Sequence, residues 1–120
     1  MNVKSTFLNG YVNEEVYMDQ PLDFEDTSHL NHIFKLKKAL YGLKQTPKAW
    51  YDRLSTFLLN KEYLRGKVDQ TLFIKKQGKH ILVVQIYVDN IIFGSTKEIL
   101  CIKFSDIMKS EFEMSLMGEL

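Results

Sequence analysis

The chain has 120 residues, 45% hydrophobic and 26% charged, the proportions of one soluble globular domain rather than of a disordered or fibrous segment. Lys and Arg total 16 against 15 Asp and Glu, a net charge of +1, so the overall balance announces no polyanionic partner. A single cysteine, Cys101, excludes an intrachain disulfide and a cysteine-rich zinc site, and its apolar-periodic setting reads as core.

The opening residues carry no basic start leading into an apolar stretch, so no signal peptide is expected. The longest apolar run, residues 81–88, contains Gln85 and is too short to span a membrane. The expected setting is therefore intracellular, with no membrane partner.

Taken in chain order, Asn9-Gly10 is a turn signal, and residues 15–20 alternate enough to read as a short strand ended by Pro21. Residues 23–31 read as a polar loop and 33–36 as a second short strand. Thr46-Pro47 opens a helix, because Thr is a good N-cap and Pro suits the first helical position. Ala49, Trp50, Leu54, Phe57 and Leu58 recur at helical spacing, so the helix runs from Pro47 to about Asn60.

Residues 71–76 and 80–88 read as strands joined through Gln77-Gly78, the second apolar on both faces like a buried central strand. Residues 91–93 form the next strand, and Asp89-Asn90 between them is expected to be a tight Asx turn using positive φ. Ser95 and Glu98 have capping-box spacing for a helix over 97–110 that buries Ile99, Ile102, Phe104 and Ile107. Residues 112–120 can begin a further strand. The order predicts an α+β fold, an antiparallel sheet with helices on one face.

Charge is unevenly placed. Glu14, Glu15, Asp19, Asp23, Glu25 and Asp26 form an acidic stretch, followed by the basic Lys35, Lys37, Lys38, Lys44, Lys48 and Arg53. Both read as solvated faces, or the basic one as a surface for phosphates. Asp89, at the tip of a rigid apolar hairpin, is the residue best placed for metal chemistry; the alternative is a plain turn. His29, His32 and His80 lack ligand spacing and read as surface residues.

The runs NVKSTFLNGYVNEEVY, LKKALYGLKQTPKAWYDRL and QIYVDNIIFGS resemble the core motifs of copia-type LTR retrotransposon reverse transcriptases, RNA-directed DNA polymerases, in order and spacing along the whole chain. The resemblance implies that residues 1–120 are an incomplete polymerase palm, without most of the fingers, the thumb or RNase H. It implies an RNA template, a DNA primer and deoxynucleoside triphosphates as partners, the remainder of a Pol polyprotein around the segment, and a cytoplasmic or virus-like-particle setting.

The family's two-metal chemistry uses Mg2+ held by three aspartates. Here Asn2 and Asn90 stand at two of the three positions and only Asp89 remains, so the resemblance implies an impaired metal site and lost polymerase activity. The open alternatives are a non-catalytic RNA- or DNA-binding remnant and an enzyme still active within a longer polyprotein.

By the same resemblance, Ser5 and Thr6 lie near the triphosphate and Phe7 under the sugar as a gate. Tyr41 and Gly42 pack on nucleotide and template, and Lys44 and Lys48 contact phosphates. The readings beside these are a core Phe7 and ordinary surface lysines; Trp50 reads as core. Asp to Asn at 2 and 90, Ala to Thr at 6 and 46, and Arg to Lys at 48 are each reachable by one G-to-A change, the pattern of a decayed element copy.

Overall fold

A computed structural model describes residues 3–17, 30–38 and 46–120. In chain order these form α1 (Val3–Tyr17), β1 (Asn31–Lys38), α2 (Pro47–Asn60), β2 (Leu64–Arg65), β3 (Leu72–Gln77), β4 (His80–Ile86), β5 (Asn90–Ser95), α3 (Glu98–Phe112) and β6 (Met114–Glu119). The strands make one antiparallel sheet in the order β2-β3-β4-β5-β1-β6. Consecutive strands β2 to β5 pair with their neighbours, and β1 inserts between β5 and β6.

Alternation along the central strands sends side chains to both faces. Phe73, Leu82, Val84, Ile86, Ile91, Phe93 and Leu36 pack against Trp50, Leu54 and Leu58 of α2 and Cys101, Phe104, Met108 and Phe112 of α3. Their neighbours Leu72, Ile74, Ile81, Val83, Ile92 and Ile33 pack against Phe7 and Tyr11 of α1 on the other side. The α+β class stands, but the helices cover both faces rather than the one expected. A sheet centre that is apolar on both sides has to be covered on both.

The α1 helix is where pattern reading failed. Asn9-Gly10 lies inside it, and residues 15–17, expected as strand, are its last turn; residues 18–20 lie outside the described residues, as do 23–29 of the expected loop. Phe7, Tyr11 and Glu14 form its buried face, while Val12 is exposed and Leu8 half-buried. Apolar residues therefore lie all round the helix, and a carboxylate sits on its inner face, so no amphipathic stripe is legible. The strand expected at 33–36 is the middle of β1.

The α2 helix matches its signals: Thr46 Oγ1 accepts from the Ala49 N–H at 3.1 Å, and Pro47 holds the first turn. The α3 helix forms, but the Ser95–Glu98 box does not. Lys97 is the N-cap residue without a side-chain bond, and the Ser95 hydroxyl donates to the Lys97 carbonyl instead. Phe104 is buried as expected, but Ile99, Ile102 and Ile107, also expected in the core, are exposed; Cys101, Ser105, Met108 and Phe112 face inward with Phe104. The sheet selects the stripe that carries the larger Phe104, Met108 and Phe112.

Glu14 is 1% exposed although it opens the acidic stretch read as solvated. Its carboxylate accepts from the backbone N–H groups of Lys67 (2.8 Å), Val68 (3.2 Å) and Asp69. Gly66 makes this approach possible, since a Cβ there would lie 2.7 Å from Glu14 Cδ. Asp69 Oδ1 in turn accepts from the Thr71 N–H and hydroxyl, and the Gln85 amide donates to Thr71 Oγ1. The chain of bonds ties α1 to the loop before β3 and on to β4.

Two expectations follow. Glu14→Ala leaves the N–H groups of Lys67, Val68 and Asp69 without their acceptor and is expected to cost about 2 kcal/mol, read from the urea midpoint; Glu14→Gln, which keeps a carbonyl acceptor, loses less. Burial, with a smaller contribution from Cys101, pushes the Tyr63 phenol well above its ordinary value of 10.0. The raised value means the stability it contributes is complete below pH 10 and declines above it, at about 1.4 kcal/mol per pH unit, because only the unfolded chain then ionises. Tyr63→Phe is expected to flatten that alkaline decline in urea titrations run at stepped pH.

Candidate functional site

Strands β4 and β5 meet at a tight turn. The Tyr87 N–H donates to the Asn90 carbonyl at 2.8 Å, which leaves Val88 and Asp89 at the tip, one residue earlier than expected, with Asn90 already in β5 opposite Lys37. Neither Asp89 nor Asn90 takes positive φ, so the turn does not use the backbone freedom expected of it. The Asp89 carbonyl accepts from the Lys38 N–H at 2.9 Å. The tip is thereby fastened to β1 as well as to its own strands, a rigid seat for a carboxylate.

Beside this tip lies an open cleft of about 510 Å3, between the hairpin, β1 and α1. Thr6 lines it from α1, Lys35 from β1, and Tyr87, Val88, Asp89, Asn90 and Ile92 from the hairpin. Asp89 is the one carboxylate in this described lining. Asn90 Oδ1 is buried and accepts no hydrogen bond from any described residue. Burial, and then the charge of Asp69, push the Tyr87 phenol above its ordinary value, so it stays an O–H donor at neutral pH. Among the described residues no group of three His, Cys, Asp or Glu is placed to hold a metal ion.

The structure thus brings together Thr6, Asp89 and Asn90 from distant parts of the chain. Ser5 is exposed on the first turn of α1 and does not line the cleft. Phe7 is 1% exposed, packed with Tyr11, Ile33 and Ile74 against the sheet. It holds α1 down as a core residue, the reading set beside the sugar gate: the roughly 100° step along the helix turns Phe7 inward where Thr6 faces the cleft. Asn2, Tyr41, Gly42 and Lys44 lie outside the described residues.

Lys48 is exposed on α2, which covers the opposite face of the sheet, and pairs with Asp52 at 3.0 Å. An exposed pair of this kind contributes little to stability. Trp50 is core, as expected, stacked edge-on to Phe112. Cys101 is buried as expected, and burial pushes its thiol up despite the Ser95 bond, so it is no nucleophile. His32 pairs with Glu119 at 2.7 Å and with Glu98 at 3.8 Å.

Lys35, Tyr87, Val88 and Ile92 are the cleft residues that sequence reasoning did not single out as site residues, although Lys35 belongs to the basic stretch. The alternation Ile33, Lys35 on a strand whose first member is buried was the available signal for Lys35.

A family model described as reverse transcriptase (RNA-dependent DNA polymerase) matches residues 1–120. The chain belongs to the reverse transcriptase family. It is 37% identical over 120 residues to the retrovirus-related Pol polyprotein from transposon RE1 of Arabidopsis thaliana, covering 100% of this chain and 8% of that protein. It is 35% identical over 114 residues to the polyprotein from transposon RE2 of the same plant, covering 95% and 8%. The corresponding figures for the polyprotein from transposon TNT 1-94 of Nicotiana tabacum are 35% over 120 residues, 98% and 9%.

These relatives bear out the copia-type resemblance read from the motifs. This reverse transcriptase segment spans less than a tenth of their length. No solved structure matches it. No helix among its described residues is long and apolar enough to cross a membrane.

The cleft chemistry of the segment is testable by charge. Asn90→Asp sets a second carboxylate beside Asp89 and is expected to cost about 1 kcal/mol in EDTA, a fall of roughly 5 °C in Tm. Millimolar Mg2+ is expected to restore that loss while leaving the unaltered chain's Tm unchanged, since only a ligand that binds the folded state stabilises it. A Tm rise of the unaltered chain with Mg2+ means that Asp89 alone holds the ion.

Proposed function

We propose that this chain is the palm portion of a retrotransposon RNA-directed DNA polymerase, acting on an RNA template, a DNA primer and deoxynucleoside triphosphates within a longer Pol polyprotein, and that this copy no longer polymerises. One observation carries the second half of the reading: among the described residues, the cleft at the hairpin tip presents a single carboxylate, Asp89, beside a neutral Asn90.

Such polymerisation is two-metal nucleotidyl transfer, in which a pair of Mg2+ ions supplies charge stabilisation to the attacking and leaving oxygens. Mg2+ binds through carboxylates and substrate phosphates, held at demanding octahedral geometry. The residues here do not fit a pair of such ions. Asp89 brings one negative charge, and Asn90 brings only an amide oxygen. Asn2, outside the described residues, brings no charge either. No step of catalysis is therefore assigned to the cleft.

What the chain's own residues retain is the scaffold. Phe7 and Tyr11 seat α1 on the sheet, Glu14 locks it to the loop at 67–69, and the hairpin fixes Asp89 opposite Thr6. The magnitude follows from the missing charge: about 4 kcal/mol of lost transition-state stabilisation corresponds to roughly a thousandfold in rate.

The deciding experiment is Mg2+-dependent primer extension on an RNA template by a complete copia-type enzyme carrying residues 1–120 as a graft. The unaltered graft is expected to be silent, and the Asn2→Asp plus Asn90→Asp graft to synthesise DNA. Synthesis by both overturns the loss of activity; silence from both shifts the damage to the scaffold.

A further inference from the structure

We infer that a pocket between α3, β1 and β6, on the face of the sheet opposite the cleft, binds a neutral ring of benzene size that carries one hydroxyl, a phenol. The strand register sets this site apart from the cleft. Phe34 pairs with Phe93 across β1 and β5, and both line the pocket on the α3 side. The next pair, Lys35 and Ile92, lines the cleft on the α1 side. The inference therefore stands independently of the polymerase reading.

Size and walls select a single ring. The pocket has a volume of about 120 Å3. An apolar cavity of about 150 Å3 stays dry and takes benzene, so one six-membered ring fits and a nucleotide does not. The walls are the Phe34 and Phe93 rings, their centroids 5.7 Å apart and their planes at 24°, with the exposed side chains of Ile102 and Leu116 at the mouth. Aromatic walls favour an aromatic ligand, which finds offset or edge-on contacts with them. The Cys101 thiol adds a polarisable sulfur to the lining.

Ser105 sets the hydrogen-bonding requirement. It is buried, it lines the pocket, and its Oγ has no hydrogen-bond partner among the described residues. A serine inside a helix can return its hydroxyl to the carbonyl four residues back, and this one does not. A buried hydroxyl left unmet is costly, and a hydrocarbon ring leaves it so. Because it can both donate and accept, its complement is another hydroxyl. Charge is disfavoured. Burial keeps the Cys101 thiol protonated inside, and the exposed Asp106 and Lys109 at the rim are opposite in sign. An ionised ligand would lose its water and find no counter-ion within.

The test is a backbone-amide NMR titration of the whole chain with phenol and with fluorobenzene, a ring of similar size without an O–H. Phenol is expected to move the amides of Phe34, Cys101, Ser105 and Leu116, with a dissociation constant on the order of 1 mM for so small a ligand. It is expected to bind about fivefold more tightly than fluorobenzene. Ser105→Ala, which places a good helix former on α3, is expected to abolish that preference and to bind fluorobenzene as before. The preference is read first in the unaltered chain, so it does not depend on the variant folding.

N-acetyltyrosinamide separates two sources of the ring. Displacement of phenol by it supports a tyrosyl side chain, and its exclusion while phenol binds supports a free phenol. Equal binding of phenol and fluorobenzene by the unaltered chain, no binding of phenol at tens of millimolar, or shifts confined to other residues each overturns the proposal.

Discussion

Residues 81–86 and 91–95 are buried on both faces of the sheet, so water is excluded from either side of its centre. That constraint organises everything else. Each face needs a cover, and the covers differ in kind. On one side α2 and α3 supply large aromatic and aliphatic side chains, with Phe104 tilted against Phe93 and Phe112 set edge-on between Trp50 and Phe57. On the other side α1 brings Phe7 and Tyr11, and its position there creates the cleft wall that carries Thr6.

The α1 contact is polar where the opposite one is apolar. Burying a carboxylate is costly unless hydrogen bonds replace its water, and Glu14 receives three from one loop. The same loop presents Asp69 to Thr71 and the network reaches Gln85, on the strand that ends at the hairpin. A buried polar network that is satisfied at each of these members fixes geometry in a way an oily contact does not. It sets how α1 lies over β4, and so how Thr6 and the hairpin tip face one another.

Asn90 leaves the shape of the hairpin intact: the turn closes, and its tip is tied to β1 through the Lys38 N–H. Among the described residues that line the cleft, Asp89 is the one carboxylate and Lys35 the one ammonium.

Much of this was legible from the residues alone. Strong local signals gave α2 with its Thr46 cap, the β3–β4 and β4–β5 hairpins, the burial of Trp50 and Cys101, and the isolation of Asp89 as the one acid at the tip. The motifs gave the family. Tertiary packing decided the rest. Which residues of α3 joined Phe104 facing inward depended on what the sheet offered, and Ile99, Ile102 and Ile107 lost to Cys101, Met108 and Phe112. Residues 3–17 became a helix because its aromatic and acidic face found partners far along the chain, a fact invisible to periodicity. Phe7 turned to the core and Thr6 to the cleft by one step of helix rotation. Lys35 entered the site only because β1 inserts beside β5. Local chemistry is written in neighbouring residues, whereas the cleft is made by strands and a helix that meet only after the chain has folded.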